Sequence, residues 1–207
     1  MKPKKRQEIT HDYTSRILKL QRFMKTNGLD AFIVSTQDSI YYLSGASFMP
    51  VERPFFIVVR PEGTPDLLVP KLEYEHMRKV EGFGDIKCYF EYPSVENENW
   101  YDRLNTMLGE KAVVGIEPDF SVAKAALLKV KETVISPVIT DMRMVKTPDE
   151  IEAIRLTAEW TDKGMYQVHH ALYRGQSVVE TNMPSKDLQT RVISAGEYDY
   201  FNWVRFI

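Results

Sequence analysis

The run Ser136-Pro137-Val138-Ile139-Thr140-Asp141-Met142-Arg143-Met144-Val145-Lys146-Thr147-Pro148-Asp149-Glu150-Ile151-Glu152-Ala153-Ile154-Arg155 closes one domain and opens a long helix, and the rest of the chain is read outward from it. Thr147 is placed to cap the helix. Pro148 suits the first helical position, where an N–H would have no helical partner, and Glu150 stands three residues after the cap to complete a capping box. Behind it Ile151, Ile154, Ala158, Met165, Val168 and Leu172 recur at steps of three, four and seven, which predicts one apolar stripe. Only about 35 residues follow that stripe, too few for an independent core beneath it. The sequence therefore predicts a polar leader over 1–11, a complete domain over 12–145, and the truncated beginning of a second over 146–207.

Composition agrees with a soluble globular chain: 207 residues, 43% hydrophobic and 27% charged. Lys and Arg (27) nearly balance Asp and Glu (29), so no global field favours nucleic acid or an anionic membrane, and neither is expected as a partner. Cys88 is the single cysteine and cannot form an intramolecular disulfide, and the lysine-rich start lacks the apolar centre of a secretory signal. A reducing, cytoplasmic setting is expected. The longest apolar run, Phe55-Phe56-Ile57-Val58-Val59, is strand-sized, far short of the roughly 20 residues that span a bilayer.

Tyr13, Ile17, Leu20 and Met24 lie on one helical face, and Asn27-Gly28 supplies a left-handed stop. Ala31-Phe32-Ile33-Val34 reads as a strand apolar on both faces, as inside a sheet covered by helices. A short helix or turn is predicted over 38–43. The strands at 55–59 and 67–69 flank Arg60-Pro61-Glu62-Gly63-Thr64-Pro65-Asp66, whose turn residues indicate a hairpin and hence a mixed sheet. Further helices are predicted over 71–79, 100–108 and 122–131, strands over 86–90 and 112–116, and a last strand or extended segment over 134–139. Alternation of this kind is an α/β layer fold with helices on both faces, closing near residue 145.

Chemistry-bearing patterns are sparse. Glu73 and His76 form a Glu-x-x-His step, but no second copy exists to complete a di-metal bundle site, so a solvated helix face is expected. His169 and His170 are adjacent and diverge by about 100° on a helix, poor geometry for one ion. Gly82-Phe83-Gly84-Asp85 lacks the third glycine of a dinucleotide fingerprint and precedes a strand, so it reads as a turn. No nucleophile elbow, phosphate loop or paired-cysteine motif is present. Arg53, in Glu52-Arg53-Pro54 at the entrance to a buried strand, has two readings. It can grip a carboxylate with its planar fork, or form a surface ion pair with Glu52 or another acid. Tyr41, Tyr42 and Phe48 are candidates to line a pocket beside it, although core packing accounts for them equally.

Four segments in order carry a family resemblance: 16–34 with its Gly28-Leu29-Asp30-Ala31 turn; Ser39-Ile40-Tyr41-Tyr42-Leu43-Ser44-Gly45; Val114-Gly115-Ile116-Glu117; and the opening run 136–155. Together they resemble the amino-terminal domain of the creatinase, prolidase and Xaa-Pro aminopeptidase family, the pita-bread metallopeptidases. The resemblance implies a creatinase-type α/β domain with a mixed sheet, followed by the start of an α+β catalytic domain. Relatives hold two divalent metals, Mn, Co or Zn, through two aspartates, a histidine and two glutamates, where a bridging water attacks the amide. Those ligands fall beyond the equivalent of residue 207, so the resemblance implies no catalytic residue and no metal or other cofactor in this chain. Tyr198 to Ile207 resembles the first strand of the catalytic fold.

A homodimer and a peptide or small-molecule substrate for the full-length protein are likewise implied. Creatinase shares the scaffold but acts on a guanidino compound without metal, and its Arg-Pro-aromatic entry to a buried strand is similar to Arg53-Pro54-Phe55. In that branch the arginine reaches across the dimer towards the neighbour's substrate carboxylate. The leading expectation is thus the front portion of a Xaa-Pro peptidase that shapes the substrate cleft and supports the dimer without catalysing alone. A stand-alone interaction module, or creatinase-like amidine hydrolysis or lyase chemistry on the same scaffold, are the alternatives.

Overall fold

The computed structural model describes residues 12–46, 53–91 and 93–173. These fall into two compact units, one ending at Val145 and one beginning at Lys146.

In the first unit, α1 (Tyr13–Asn27) starts where Asp12 accepts a hydrogen bond from the Ser15 amide at 2.9 Å, and ends at Gly28 with φ 64°. There follow β1 (Ala31–Val34), α2 (Gln37–Ser44), β2 (Phe56–Val59), β3 (Asp66–Pro70), a 3-10 turn (Lys71–Glu73) running into α3 (Tyr74–Met77), and β4 (Ile86–Tyr89). Then come α4 (Trp100–Leu108), β5 (Val113–Ile116), α5 (Val122–Ala125), β6 (Glu132–Ile135) and α6 (Val138–Met144). The six strands form one sheet in the order β4-β3-β2-β1-β5-β6. β2 runs antiparallel to both neighbours and every other pairing is parallel, so the sheet is mixed.

Both faces are covered. Phe32, Val34, Ile57, Val59, Leu67 and Val69 point to a core filled by Leu20 and Met24 of α1, Ile40 and Leu43 of α2, and Val138 and Ile139 of α6. Ala31, Ile33, Phe56, Val58, Leu68, Val114 and Ile116 face the opposite core, closed by Leu104 and Met107 of α4. That division is the period-two alternation of strand side chains, and it explains why β1 and β2 are apolar at every position. Gly115 lies where only a hydrogen fits: a Cβ there would stand 2.3 Å from Cδ2 of Phe32. Asp30 fixes the register of the β1/β5 pair, its amide donating to Val113 O at 2.9 Å and its carboxylate accepting from the Val113 amide at 2.8 Å.

Three elements differ from the sequence expectation. The helix expected over 122–131 stops at Ala125, because Asn105 brackets the following turn, donating to Leu127 O (2.9 Å) and accepting from the Lys129 amide (2.7 Å). Of the last strand or extended segment expected over 134–139 only Val134 and Ile135 are strand, in β6, after which Ser136 and Pro137 turn the chain into α6, a helix its sequence did not announce. The helix expected over 71–79 is only a 3-10 turn and α3.

In the second unit, α7 (Pro148–Tyr173) begins with the expected capping box: the Thr147 amide donates to Glu150 at 2.8 Å and the Glu150 amide to Thr147 Oγ1 at 3.2 Å. Arg155 is held between Glu152 and Glu159 along its surface. Ile151, Ile154 and Met165 of the apolar stripe are exposed; the side chains of Val168 and Leu172 lie outside the described residues.

Candidate functional site

The sheet's polarity gathers its chemistry at one edge. The carboxyl ends of β1, β3, β4, β5 and β6 all emerge there, and because β2 is antiparallel its entry, with Arg53 and Pro54, lies at the same edge. Helices leave β1 and β5 towards opposite faces, α2 to one core and α5 to the other. Adjacent parallel strands whose connections diverge leave a crevice at their carboxyl ends. Here it is a cavity of about 230 Å³ lined by Thr36, Asp38, Ser39, Glu117, Thr140 and Arg143.

Glu117, immediately after β5, is 5% exposed and accepts four hydrogen bonds. They come from the Ser35 amide (2.6 Å) and hydroxyl (3.3 Å) and from the Thr36 amide (2.9 Å) and hydroxyl (2.9 Å). A buried carboxylate is tolerated on such terms, and both oxygens are engaged. Across the crevice Arg143 donates to Asp38 at 2.9 Å, tying α6 to the first turn of α2.

The second constellation lies at the β2 and β4 end. Arg53 forms an ion pair with Glu91, each side chain about one-third exposed (35% and 38%). Tyr89, buried at 2% exposure, donates its hydroxyl to the Pro54 carbonyl at 3.1 Å. Burial, with the negative charge of Glu91 beside it and only partial relief from Arg53, holds the Tyr89 phenol well above its ordinary pKa, so it stays a donor. β3 lies between β2 and β4, so these two contacts bridge over its end. Of the two sequence readings of Arg53, the ion pair exists, with Glu91 as the acid.

Tyr42 is committed to packing: the Arg16 guanidinium stacks 4.1 Å from its ring centroid, its carbonyl accepts from Arg16 at 2.5 Å, and its hydroxyl donates to Met142 O at 3.2 Å. It thereby joins α1, α2 and α6. Tyr41 is half-buried on α2, and its carbonyl accepts from the Gly45 amide at the helix end, 2.7 Å away. Phe48 lies outside the described residues. His76 is exposed, and Gly82 to Asp85 is a turn whose Gly84 amide meets Pro65 O at 2.9 Å.

Among the described residues no group of three or more His, Cys, Asp or Glu could hold a metal ion. Glu117, the most buried acid at this edge, already accepts hydrogen bonds at both oxygens, three at Oε2 and one at Oε1. No helix among the described residues is long and apolar enough to cross a membrane. Glu91, Tyr89 and the clasp made by Glu117 were not singled out from sequence. Position is the sequence signal they share, since each stands at or just past the carboxyl end of a strand; Glu117 also closes the Val114-Gly115-Ile116-Glu117 segment of the family resemblance.

Residues 16–145 match the family model of the creatinase/prolidase N-terminal domain. A Xaa-Pro dipeptidase of Pyrococcus furiosus is 32% identical over 166 residues, covering 78% of this chain and 44% of the relative. The crystal structure of the prolidase from Pyrococcus horikoshii superposes with a TM-score of 0.68 at 25% identity, over 86% of this chain and 48% of that one. A creatinase-N superfamily domain of a dipeptidase from Streptococcus thermophilus superposes with a TM-score of 0.52 at 25% identity, over 61% of this chain and 97% of that one. The chain thus spans less than half the length of the dipeptidase it matches.

Proposed function

Starting from the chain's membership of the creatinase/prolidase N-terminal domain family, we propose that it is the front portion of a Xaa-Pro peptidase. Residues 12–145 shape one wall of the substrate cleft and support a homodimer, and 146–207 begin the catalytic domain. The observation that carries this reading is the match over 16–145 combined with a relative named for Xaa-Pro dipeptide hydrolysis. The capped helix α7 directly after that match supports the second domain, since its exposed apolar residues call for a surface to cover them.

In this reading the chain contributes recognition rather than bond cleavage. A dipeptide ends in a carboxylate, and arginine is the side chain whose planar fork suits it. Arg53, at the carboxyl edge of the sheet, is the residue assigned to that role. The two divalent metals of the complete enzymes belong to the catalytic domain, and the setting is cytoplasmic, in keeping with a single unpaired cysteine.

The test is direct. The purified 207-residue chain, supplied with manganese, cobalt or zinc, is expected to hydrolyse no Xaa-Pro dipeptide and to retain no stoichiometric metal after gel filtration. Turnover by this chain alone would overturn the proposal.

A further inference from the structure

Glu117 is 5% exposed, yet no cation among the described residues pairs with its charge. Its partners are amides and hydroxyls, three at Oε2 and one, Thr36 Oγ1, at Oε1, which leaves Oε1 a lone pair. Buried charges are ordinarily paired as well as hydrogen-bonded. Arg143, the only basic residue among those lining the crevice, is committed to Asp38 at 2.9 Å.

The same crevice carries further groups with nothing to bond. Ser39 is only 2% exposed, and its hydroxyl makes no hydrogen bond among the described residues. Neither does the Thr140 hydroxyl or the Asp119 carboxylate, both exposed on the crevice wall. Water can satisfy a hydroxyl, but it brings no charge. Asp38, Glu117 and Asp119 against Arg143 leave an excess of two negative charges, of which the N-terminus of α2 offsets about half a charge. The site therefore favours a cation.

The kind of cation follows from the lining. The three acids form no group that could hold a metal ion, so they do not converge on one point, and a ligand with charge at two ends spans them better. No aromatic ring lines the crevice, so a quaternary ammonium would find no π face. A primary ammonium instead brings three donors to oxygen acceptors. The volume of about 230 Å³ is below the range of about 300–1,000 Å³ usual for drug-sized ligands and suits a short chain. We propose that the crevice between β1 and β5 binds a short aliphatic diamine, with one ammonium at Glu117 and Ser39 on the buried side and the other at Asp119 on the open side. This site is independent of Arg53.

The experiment uses the 207-residue chain labelled with nitrogen-15, titrated with 1,4-diaminobutane at constant ionic strength and neutral pH. The amides of Asp38, Ser39, Asp119 and Thr140 are expected to shift together with a millimolar dissociation constant. 1,4-Butanediol, which lacks the charge, tetramethylammonium, which lacks the donors, and magnesium are each expected to leave them in place. Asp119→Asn and Ser39→Ala are each expected to raise the constant about fivefold while distant amides keep their positions. Neither substitution removes an existing hydrogen bond of the fold.

No response to the diamine overturns the proposal. An equal response to the diol, to tetramethylammonium or to magnesium overturns it as well, because the crevice would then be reading polarity or charge alone. If either Asp119→Asn or Ser39→Ala leaves the constant within twofold, the diamine is not held as stated and the assignment is wrong.

Discussion

Two carboxylates stand at the same edge of one sheet and are used in opposite ways. Glu117, just past β5, is buried and accepts four hydrogen bonds from Ser35 and Thr36, whereas Glu91, past β4, is part-exposed and pairs with an arginine. A buried acid can persist only if the fold supplies its donors, and losing it strands those donors in turn. A part-exposed ion pair is worth little to folding. The β1/β5 end of the edge is thus architecture, and the ion pair at the β2/β4 end contributes less to the fold.

The largest expected effect falls on the first carboxylate. Glu117→Leu removes the acceptor of two backbone amides and should cost about 3 kcal/mol, read as a lowered urea midpoint at unchanged m-value. A loss below about 1 kcal/mol would erase the contrast between the two ends. Next, Gly115→Ala on the same strand drives a methyl into Phe32 and should cost about 2 kcal/mol. Gly115→Ala combined with Phe32→Leu should recover part of that loss.

At the other end, Tyr89→Phe gives up one hydrogen bond while keeping the ring, and should cost about 1 kcal/mol at neutral pH. Its signature is in the alkaline limb. The folded-state phenol pKa is raised above its unfolded value, so the stabilisation is complete below about pH 10 and fades as the pH rises further. The unaltered chain should lose stability there more steeply than Tyr89→Phe. Smallest of all, Arg53→Ala should change the urea midpoint by less than about 0.5 kcal/mol equivalent. A larger loss would move the β2/β4 end into the architecture as well.

Much of the fold was legible because local chemistry and tertiary burial agreed. The Gly28 stop of α1, the capping box of α7 and the apolar runs of β1 and β2 each announce an element through groups within a few residues of one another. The elements that were misread are those decided by a distant partner. Residues 126–131 leave the helical path because Asn105 on α4 engages their backbone. The hairpin between β2 and β3 was legible from its turn residues, yet the insertion of β1 between β2 and β5 was not. The same holds at the candidate site. Arg53 could be picked out by its place before Pro54 and a buried strand, whereas its acid could not, since Glu91 meets it only after β3 and β4 have been laid alongside β2.

By itself, then, the sequence determined the stop of α1, the start of α7, the apolar strands β1 and β2, and which family the chain resembles, because capping, turn formation and hydrophobic periodicity are short-range and depend on residue type. The tertiary structure alone decided which carboxylate is buried and hydrogen-bonded at both oxygens and which stays part-exposed beside an arginine. That choice follows from strand order and direction, which bring residues far apart in the chain to one edge, and no local pattern encodes it.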